Sequence, residues 1–299
     1  MAKISVLILT YNERVHIARC VANARELGEE VFVVDSFSDD GTPELARSLG
    51  AHVVQHAWEN HHARQINCAI DNLPFTGDWI FRLDADEWLT PELIQELRQR
   101  LDHVASDVNG IVLRRRLYAF GKWLRWGGQD QVYLLRLWRR GLARCEERWM
   151  DEHMVLASGR TQTFQNDFAD ENEKPLSWWI VKHAGYAVRE VADTLLDRRR
   201  AEAAQTLPQD AADRRKRWLK WLLYSGVPRF VRPTLYFGYR YVGRLGFLDG
   251  VPGLTWHVLQ AFWYRFLIDA ILYDVERRAK LEGVDPLTVL ERTYGLKAR

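Results

Sequence analysis

Four short runs of strand-forming apolar residues, Ile4 to Leu9, Val31 to Val34, Val53-Val54 and Trp79 to Leu83, are separated by three stretches that read as helices. In the first of these, Val15, Ala18, Val21, Ala22 and Leu27 recur at roughly helical spacing, and Gly28 ends it. Pro43 to Leu49 makes the second helix, capped by Gly50, and His62 to Leu73 the third. Ile4 to Leu9 is a continuous β-favouring run, of the sort buried on both faces of a parallel sheet. A β-α-β-α-β-α-β order leaves few topologies open, because parallel strands need long crossovers of fixed hand. The expectation is an α/β fold with a mostly parallel sheet and helices on both faces. A length of 299 residues, 47% of them hydrophobic, supports one large or two modest domains.

In such sheets ligands bind beyond the carboxyl ends of the strands. Three polar motifs fall there: Thr10-Tyr11-Asn12-Glu13, Asp35 to Thr42, and Asp84 to Glu87. They are expected to converge in space. Neither a Gly-x-Gly-x-x-Gly fingerprint nor a Gly-Lys-Ser/Thr phosphate loop is present, so phosphate charge must be met otherwise, most simply by a metal. Asp84 and Asp86 alternate around Ala85 and can offer oxygens to Mg²⁺ or Mn²⁺ together with substrate phosphates. The plainer alternative is a solvated turn whose acids answer the positive end of the helix signalled by Thr90-Pro91-Glu92.

Further along come a helix from Pro91 to Val104, a strand beginning at Gly110 that runs into Arg114-Arg115-Arg116, and a strand from Val132 to Trp138. Phe120 to Gly128 mixes aromatics, cations and glycines, as a loop over a sugar or phosphate does, or a surface hairpin with snorkelling arginines. Glu146 to His153 supplies a second acidic cluster. From Ser177 the pattern turns helical, and the division expected is an α/β domain over 1–175 and a helical region over 176–299, with polar Gln205 to Asp213 as a further break.

In the helical region the only acid between Pro228 and Ile268 is Asp249, against Arg229, Arg232, Arg240, Arg244 and Arg265. From Trp256 to Leu272 the apolar Trp256, Leu259, Phe262, Trp263, Phe266, Leu267, Ala270 and Ile271 recur at helical spacing, with His257, Gln260, Arg265 and Asp269 largely opposite. Arginines among aromatic rings suit peripheral contact with an anionic inner membrane, and the same surface suits a second subunit or ordinary core packing. No apolar stretch of about 18 residues is present to span a bilayer, and the first apolar run is too short for a signal peptide. The expected location is therefore cytoplasmic, peripheral on the inner face of the membrane. A net charge of +2 excludes a global field for nucleic acid, and three scattered cysteines fit neither a disulfide framework nor a zinc site.

Thr10-Tyr11-Asn12-Glu13, Val34 to Thr42 and Leu83-Asp84-Ala85-Asp86-Glu87, in this order and spacing, resemble family 2 glycosyltransferases, which have the GT-A fold. Trp149-Met150-Asp151-Glu152-His153, Lys182 to Ala187 and Gly246 to Gly250 are similar to a bacterial branch acting in lipopolysaccharide-core and exopolysaccharide assembly. The resemblance implies an inverting, metal-dependent transferase with a nucleoside-diphosphate sugar donor, UDP as carrier, and a glycan or lipid-linked acceptor. It implies that Tyr11 lines the base and that Thr10, Asn12 and Glu13 belong to the same pocket. Asp35 would hydrogen-bond the base and Arg64 contact the nucleotide. Asp84 would face ribose and metal, and Asp86 would hold the cation across the pyrophosphate. Asp151 and Glu152 are the candidates for the general base, Glu152 favoured, with His153 as orienting neighbour. The rivals are a sugar nucleotidyltransferase, which would ordinarily show a Gly-rich basic loop after its first strand, and an inactive membrane-bound scaffold.

Overall fold

The computed structural model describes residues 2–28, 30–59, 61–146, 153–204 and 227–296. It divides into two compact units, Met1–Lys174 and Pro175–Arg299. In the first, strands β1 (Ile4–Thr10), β2 (Glu30–Asp35), β3 (His52–Gln55) and β4 (Trp79–Asp84) alternate with helices α1 (Arg14–Leu27), α2 (Thr42–Ser48) and α3 (His62–Asn72). All the pairings among the four strands are parallel. There follow β5 (Glu87–Leu89), α4 (Pro91–Arg100), β6 (Val108–Ala119), β7 (Lys122–Trp123), β8 (Tyr133–Arg139), β9 (Ala143–Cys145), β10 (Met154–Leu156) and β11 (Arg160–Glu171).

The main sheet runs β3-β2-β1-β4-β8-β6-β11-β5, with β7 paired to β6, and β9 and β10 form a separate ribbon. Its strands divide their side chains between two cores. Val6, Ile8, Val31, Val33, Phe81 and Leu83 pack with α1, α2 and α4. Leu7, Phe32, Val34 and Ile80 face the other way, against α3. Both faces are thus covered, the condition that continuous apolar strands require.

Several details differ from the sequence expectation. Helix α4 stops at Arg100 and a single 3₁₀ turn, Leu101–His103, completes the stretch expected to be helical to Val104. The segment after Ala119 takes the hairpin form, one of the two expected for it: Phe120 and Gly121 both take positive φ (53° and 70°), the two-residue turn that matches strand twist. Its Trp123 ring lies between the guanidinium groups of Arg116 (4.1 Å) and Arg125 (4.2 Å). Strand β11 was not foreseen. Among its twelve residues only Phe164, Phe168 and Ala169 are buried apolar groups, so the alternation that identifies a strand is nearly invisible.

The second unit is helical among its described residues. Helix α5 (Leu176–Ala204) packs against the helix Tyr264–Glu282 through Ala187, Val191, Ala192, Ile268, Leu272 and Val275. Between Gly250 and Glu282 the chain is helical throughout, but Val258–Trp263 forms a π turn. That wider turn shifts the helical phase, so the face expected to be polar turns inward: His257 and Asp269 are buried, while Phe266 is exposed. Most of the arginines expected to face lipid are already paired. Asp269 takes Arg232, Glu276 takes Arg229, and Glu190 takes Arg265 (2.9 Å). The carboxylates come from outside the acid-poor stretch, which is why a local charge count missed them. Among the described residues no helix is long and apolar enough to cross a membrane.

Gly28 illustrates how close the layers lie. Its φ of −131° is ordinary extended backbone, so conformational freedom is not its role. A Cβ there would stand 2.6 Å from the Ile4 carbonyl oxygen, a backbone atom that cannot swing aside. Gly28→Ala is expected to destabilise the protein by about 1–3 kcal/mol, the usual cost of overpacking, read as a lower urea midpoint at unchanged slope.

Candidate functional site

The parallel register sets the ends of three strands level. Thr10 pairs with Asp35 between β1 and β2, and Leu9 with Asp84 between β1 and β4. The three polar motifs therefore emerge from one edge of the sheet.

The first two motifs are tied to each other by side chains. Asp35 is wholly buried. Its carboxylate accepts from Thr10 Oγ1 (3.1 Å), from the Ser38 amide (2.8 Å) and from the Ser38 hydroxyl. Asp35 thus holds the β2–α2 turn, and the structure does not present it to a ligand. Asn12 sits in the left-handed region (φ 53°), where its amide donates to Ser38 Oγ (2.8 Å) and its Oδ1 accepts from the Asp39 amide (3.0 Å). What these turns leave in the open is aromatic: Tyr11 is 59% and Phe37 58% exposed, at the ends of adjacent strands. Phe37 also has positive φ (59°), a costly conformation for a bulky residue.

Glu13 is engaged on both oxygens, by Lys174 Nζ on Oε1 (2.6 Å) and by His16 Nδ1 on Oε2 (2.6 Å). The Glu173 amide donates to His16 Nε2 (2.8 Å), which places the imidazole proton on Nδ1. Glu13 is therefore an organiser of the loop, joining the start of α1 to the segment after β11.

The third motif is built around buried charge. Arg136, from the middle of β8, is 4% exposed and its Nη2 reaches Asp84 Oδ2 (3.3 Å) and Glu87 Oε1. Arg82 donates to Asp84 Oδ1 (3.1 Å), and the Asp84 amide donates to Glu87 Oε2 (2.9 Å). Burial works against charge on Asp84, but Arg82 and Arg136 outweigh it and hold its carboxyl well below the usual carboxylate range. Glu87 moves the other way: burial, with the nearby negative charges of Asp84 and Asp170, pushes it up despite Arg136. Asp170, on β11 and paired with Arg115 (3.1 Å), is pushed up to about 6 by burial and by Asp86 and Asp84. The sheet pairs Asp170 with Glu87.

Asp86 stands apart from these cations. It is half-buried, its Oδ2 accepts from Asn172 Nδ2 (2.8 Å), and its carbonyl accepts from the Glu171 amide (3.0 Å). Its Oδ1 has no partner among the described residues. The two aspartates differ accordingly: both oxygens of Asp84 face guanidinium groups, whereas Asp86 has one oxygen without a partner among the described residues. Among the described residues no group of three or more His, Cys, Asp or Glu is gathered as a metal cage. One available carboxylate oxygen fits a hard cation that takes most of its ligands from phosphates and water, as Mg²⁺ commonly does.

Arg64 lies on the first turn of α3, 55% exposed at its side chain and only 3.9 Å from Glu59, a loose surface pair. Asn67, three residues on, is instead structural, exchanging hydrogen bonds with the Cys145 amide (2.9 Å) and carbonyl (3.0 Å) and so fixing β9. Asp151 and Glu152 lie outside the described residues, in the connection between β9 and β10. His153 is described, 3.7 Å from Glu146. The residues that sequence reasoning missed are Arg136, Asp170, Asn172 and Lys174. Arg136 sits in an apolar run, where a lone charge is itself a sign of burial with a partner. Asp170 lies in a strand whose alternation is nearly invisible, and Asn172 and Lys174 follow it.

The family model for Glycosyl transferase family 2 matches residues 5–167, more than half of the chain. An uncharacterised glycosyltransferase of Rickettsia prowazekii is 34% identical over 109 residues, 36% of this chain and 35% of that one. The lipopolysaccharide core biosynthesis glycosyltransferase LpsC of Rhizobium meliloti is 29% identical over 148 residues, 48% of this chain and 53% of that one. The chain thus spans from about a third to about half of the length of these curated relatives. The crystal structure of S. aureus TarS 1–349 covers 94% of this chain and 92% of that one, at 14% identity and a TM-score of 0.42.

Arg136→Met is expected to cost about 3–5 kcal/mol, because it leaves the buried Glu87 without its cation and the half-buried Asp84 with Arg82 alone. The double variant Arg136→Met/Glu87→Gln should recover part of that loss in a urea titration. No recovery would mean that Arg136 acts by packing alone.

Proposed function

Because the chain belongs to glycosyl transferase family 2, we propose that it transfers a sugar from a nucleoside diphosphate, UDP the carrier, to a glycan or lipid-linked acceptor in assembly of a bacterial cell-surface polysaccharide. The observation that carries this reading is the meeting of three motif turns on one sheet edge, with an exposed aromatic lip on one side and Asp86 on the other. The name of the LpsC relative supports the pathway class. The GT-A-type sheet supports the donor site, and an acceptor built on lipid would bring the enzyme to the inner face of the membrane.

In this reading Tyr11, with Phe37 beside it, offers a ring face to the base, while Asn12, Glu13, Thr10 and Asp35 hold the turn that carries it. Arg64, extended from α3, supplies a mobile cation to the nucleotide. Asp84, fixed and charged between Arg82 and Arg136, faces the ribose through whatever lone pairs those cations leave. Asp86 would be the protein ligand holding Mn²⁺ or Mg²⁺, and the cation would offset charge growing on the leaving diphosphate. The reaction is a single inverting displacement. A carboxylate, Glu152 with Asp151 as its alternative, takes the acceptor hydroxyl proton as that oxygen bonds the anomeric carbon. The bond from that carbon to the diphosphate oxygen breaks, and the nucleoside diphosphate departs.

The test is a panel of nucleotide sugars with Mn²⁺, scored for release of nucleoside diphosphate. Turnover of one donor is expected, and Asp86→Ala should abolish it and weaken donor binding while the melting temperature holds. Pyrophosphate release instead would identify a nucleotidyltransferase, and no metal-dependent nucleotide binding at all would identify an inactive scaffold.

Glu152→Gln should lower kcat by about a hundredfold or more with donor affinity nearly unchanged, since a general base acts in the transition state. If only Asp151→Asn has this effect, the base is Asp151.

A further inference from the structure

A tight corner in the second unit holds apolar side chains out in water. Leu245 takes a left-handed conformation (φ 59°), and a 3₁₀ turn, Gly246–Asp249, leads into the helix Gly250–His257. Two glycines let this corner close. A Cβ on Gly246 would stand 2.6 Å from His257 Nε2, and one on Gly253 would stand 2.6 Å from the Gly246 carbonyl oxygen. His257 and Asp249 are buried beneath it. The Gly-Phe-Leu-Asp-Gly motif is therefore a packing device, and what it displays is Phe247, Leu248 and Val251, the last 75% exposed, beside Val242, Leu245 and Leu254. Monomeric proteins rarely leave such a cluster uncovered without a use for it.

Charge selects the partner. Asp249 is the only acid between Pro228 and Ile268, and it is buried, so no carboxylate from this stretch reaches the patch surface. Arg229, Arg232 and Arg265 are neutralised by Glu276, Asp269 and Glu190. Arg244, next to Leu245, has no carboxylate partner among the described residues. The patch is thus apolar with a positive edge. A two-fold contact between copies of this chain would set like charge against like charge, since the same surface meets itself. An anionic bilayer satisfies both features at once, taking the apolar tips below the headgroups and the guanidinium at their level.

We propose that the corner formed by Val242, Leu245, Phe247, Leu248, Val251 and Leu254, edged by Arg244, inserts into the interface of an anionic lipid bilayer. The inference deepens the membrane placement given above and rests on it. It replaces the aromatic face of the helix around Trp256 to Leu272, much of which packs in the core, as the contact surface.

The experiment is sedimentation of the full chain with vesicles of phosphatidylglycerol and phosphatidylcholine, and of phosphatidylcholine alone, at low and high salt. The wild type should sediment with the anionic vesicles, and Leu248→Asp/Val251→Asp should reduce partitioning at least about tenfold. Arg244→Glu should lower it by about fivefold or more at low salt and less at high salt, from the effect of a single cation near an anionic surface. Thermal melting and calorimetric binding of UDP with Mn²⁺ should be unchanged in these variants. Normal nucleotide binding with no sedimentation of the wild type would overturn the lipid contact while leaving the transferase reading intact. Sedimentation indifferent to all three substitutions would place the contact elsewhere. A dimer in light scattering that Leu248→Asp/Val251→Asp dissolves, without vesicle binding, would assign the corner to a second copy.

Discussion

The site depends on one buried guanidinium. Arg136 enters the sheet from β8 and meets two carboxylates, Asp84 and Glu87, that belong to the far end of β4 and to β5. Without it, Glu87 would lose its cation and Asp84 would keep Arg82 alone, with the two acids held close together in one turn. With it, Asp84 stays ionised and the turn is fixed. The same arrangement divides the labour of the two aspartates. Asp84 is spent largely on internal ion pairs, and Asp86, turned to the other side of Ala85, keeps an oxygen available.

A second constraint comes from the end of β11. In five residues, Asp170 to Lys174, the chain touches every part of the motif edge except the β2–α2 turn. Asp170 pairs with Arg115 near the acidic turn, Asn172 orients Asp86, the Glu173 amide holds His16, and Lys174 holds Glu13. Arg19 adds a clamp from α1 to Glu171 and Glu173. Asp86 and the Tyr11-Asn12-Glu13 loop are thereby positioned by one short segment.

In the helical unit the same principle runs with the opposite outcome. Arginines that look free in the sequence are consumed by Asp269, Glu276 and Glu190, which leaves much less positive surface than composition implies. The apolar surface that remains is not the helix face with the clearest periodicity but a corner closed by glycines. A surface patch is defined by what stays uncovered after packing, and packing is a property of several elements together.

The sequence by itself determined the parallel α/β half and the level of the site within it. Continuous apolar runs at Ile4, Val31 and Trp79 permit only strands covered on both faces, and the polar residues that end them must then share an edge. These are local signals, carried by period and by the residue that breaks it. Tertiary structure alone decided what those polar residues do: that Asp35 is buried in its own turn, that Glu13 is held from both sides, and that Asp84 is clamped. It also decided that the polar strand Arg160–Glu171 lies inside the sheet between β6 and β5, and that a π turn rotates His257 and Asp269 into the core. Two of these holds use partners distant in the chain, 52 residues for Arg136 with Asp84 and 161 for Lys174 with Glu13, and no local pattern encodes a partner at that range.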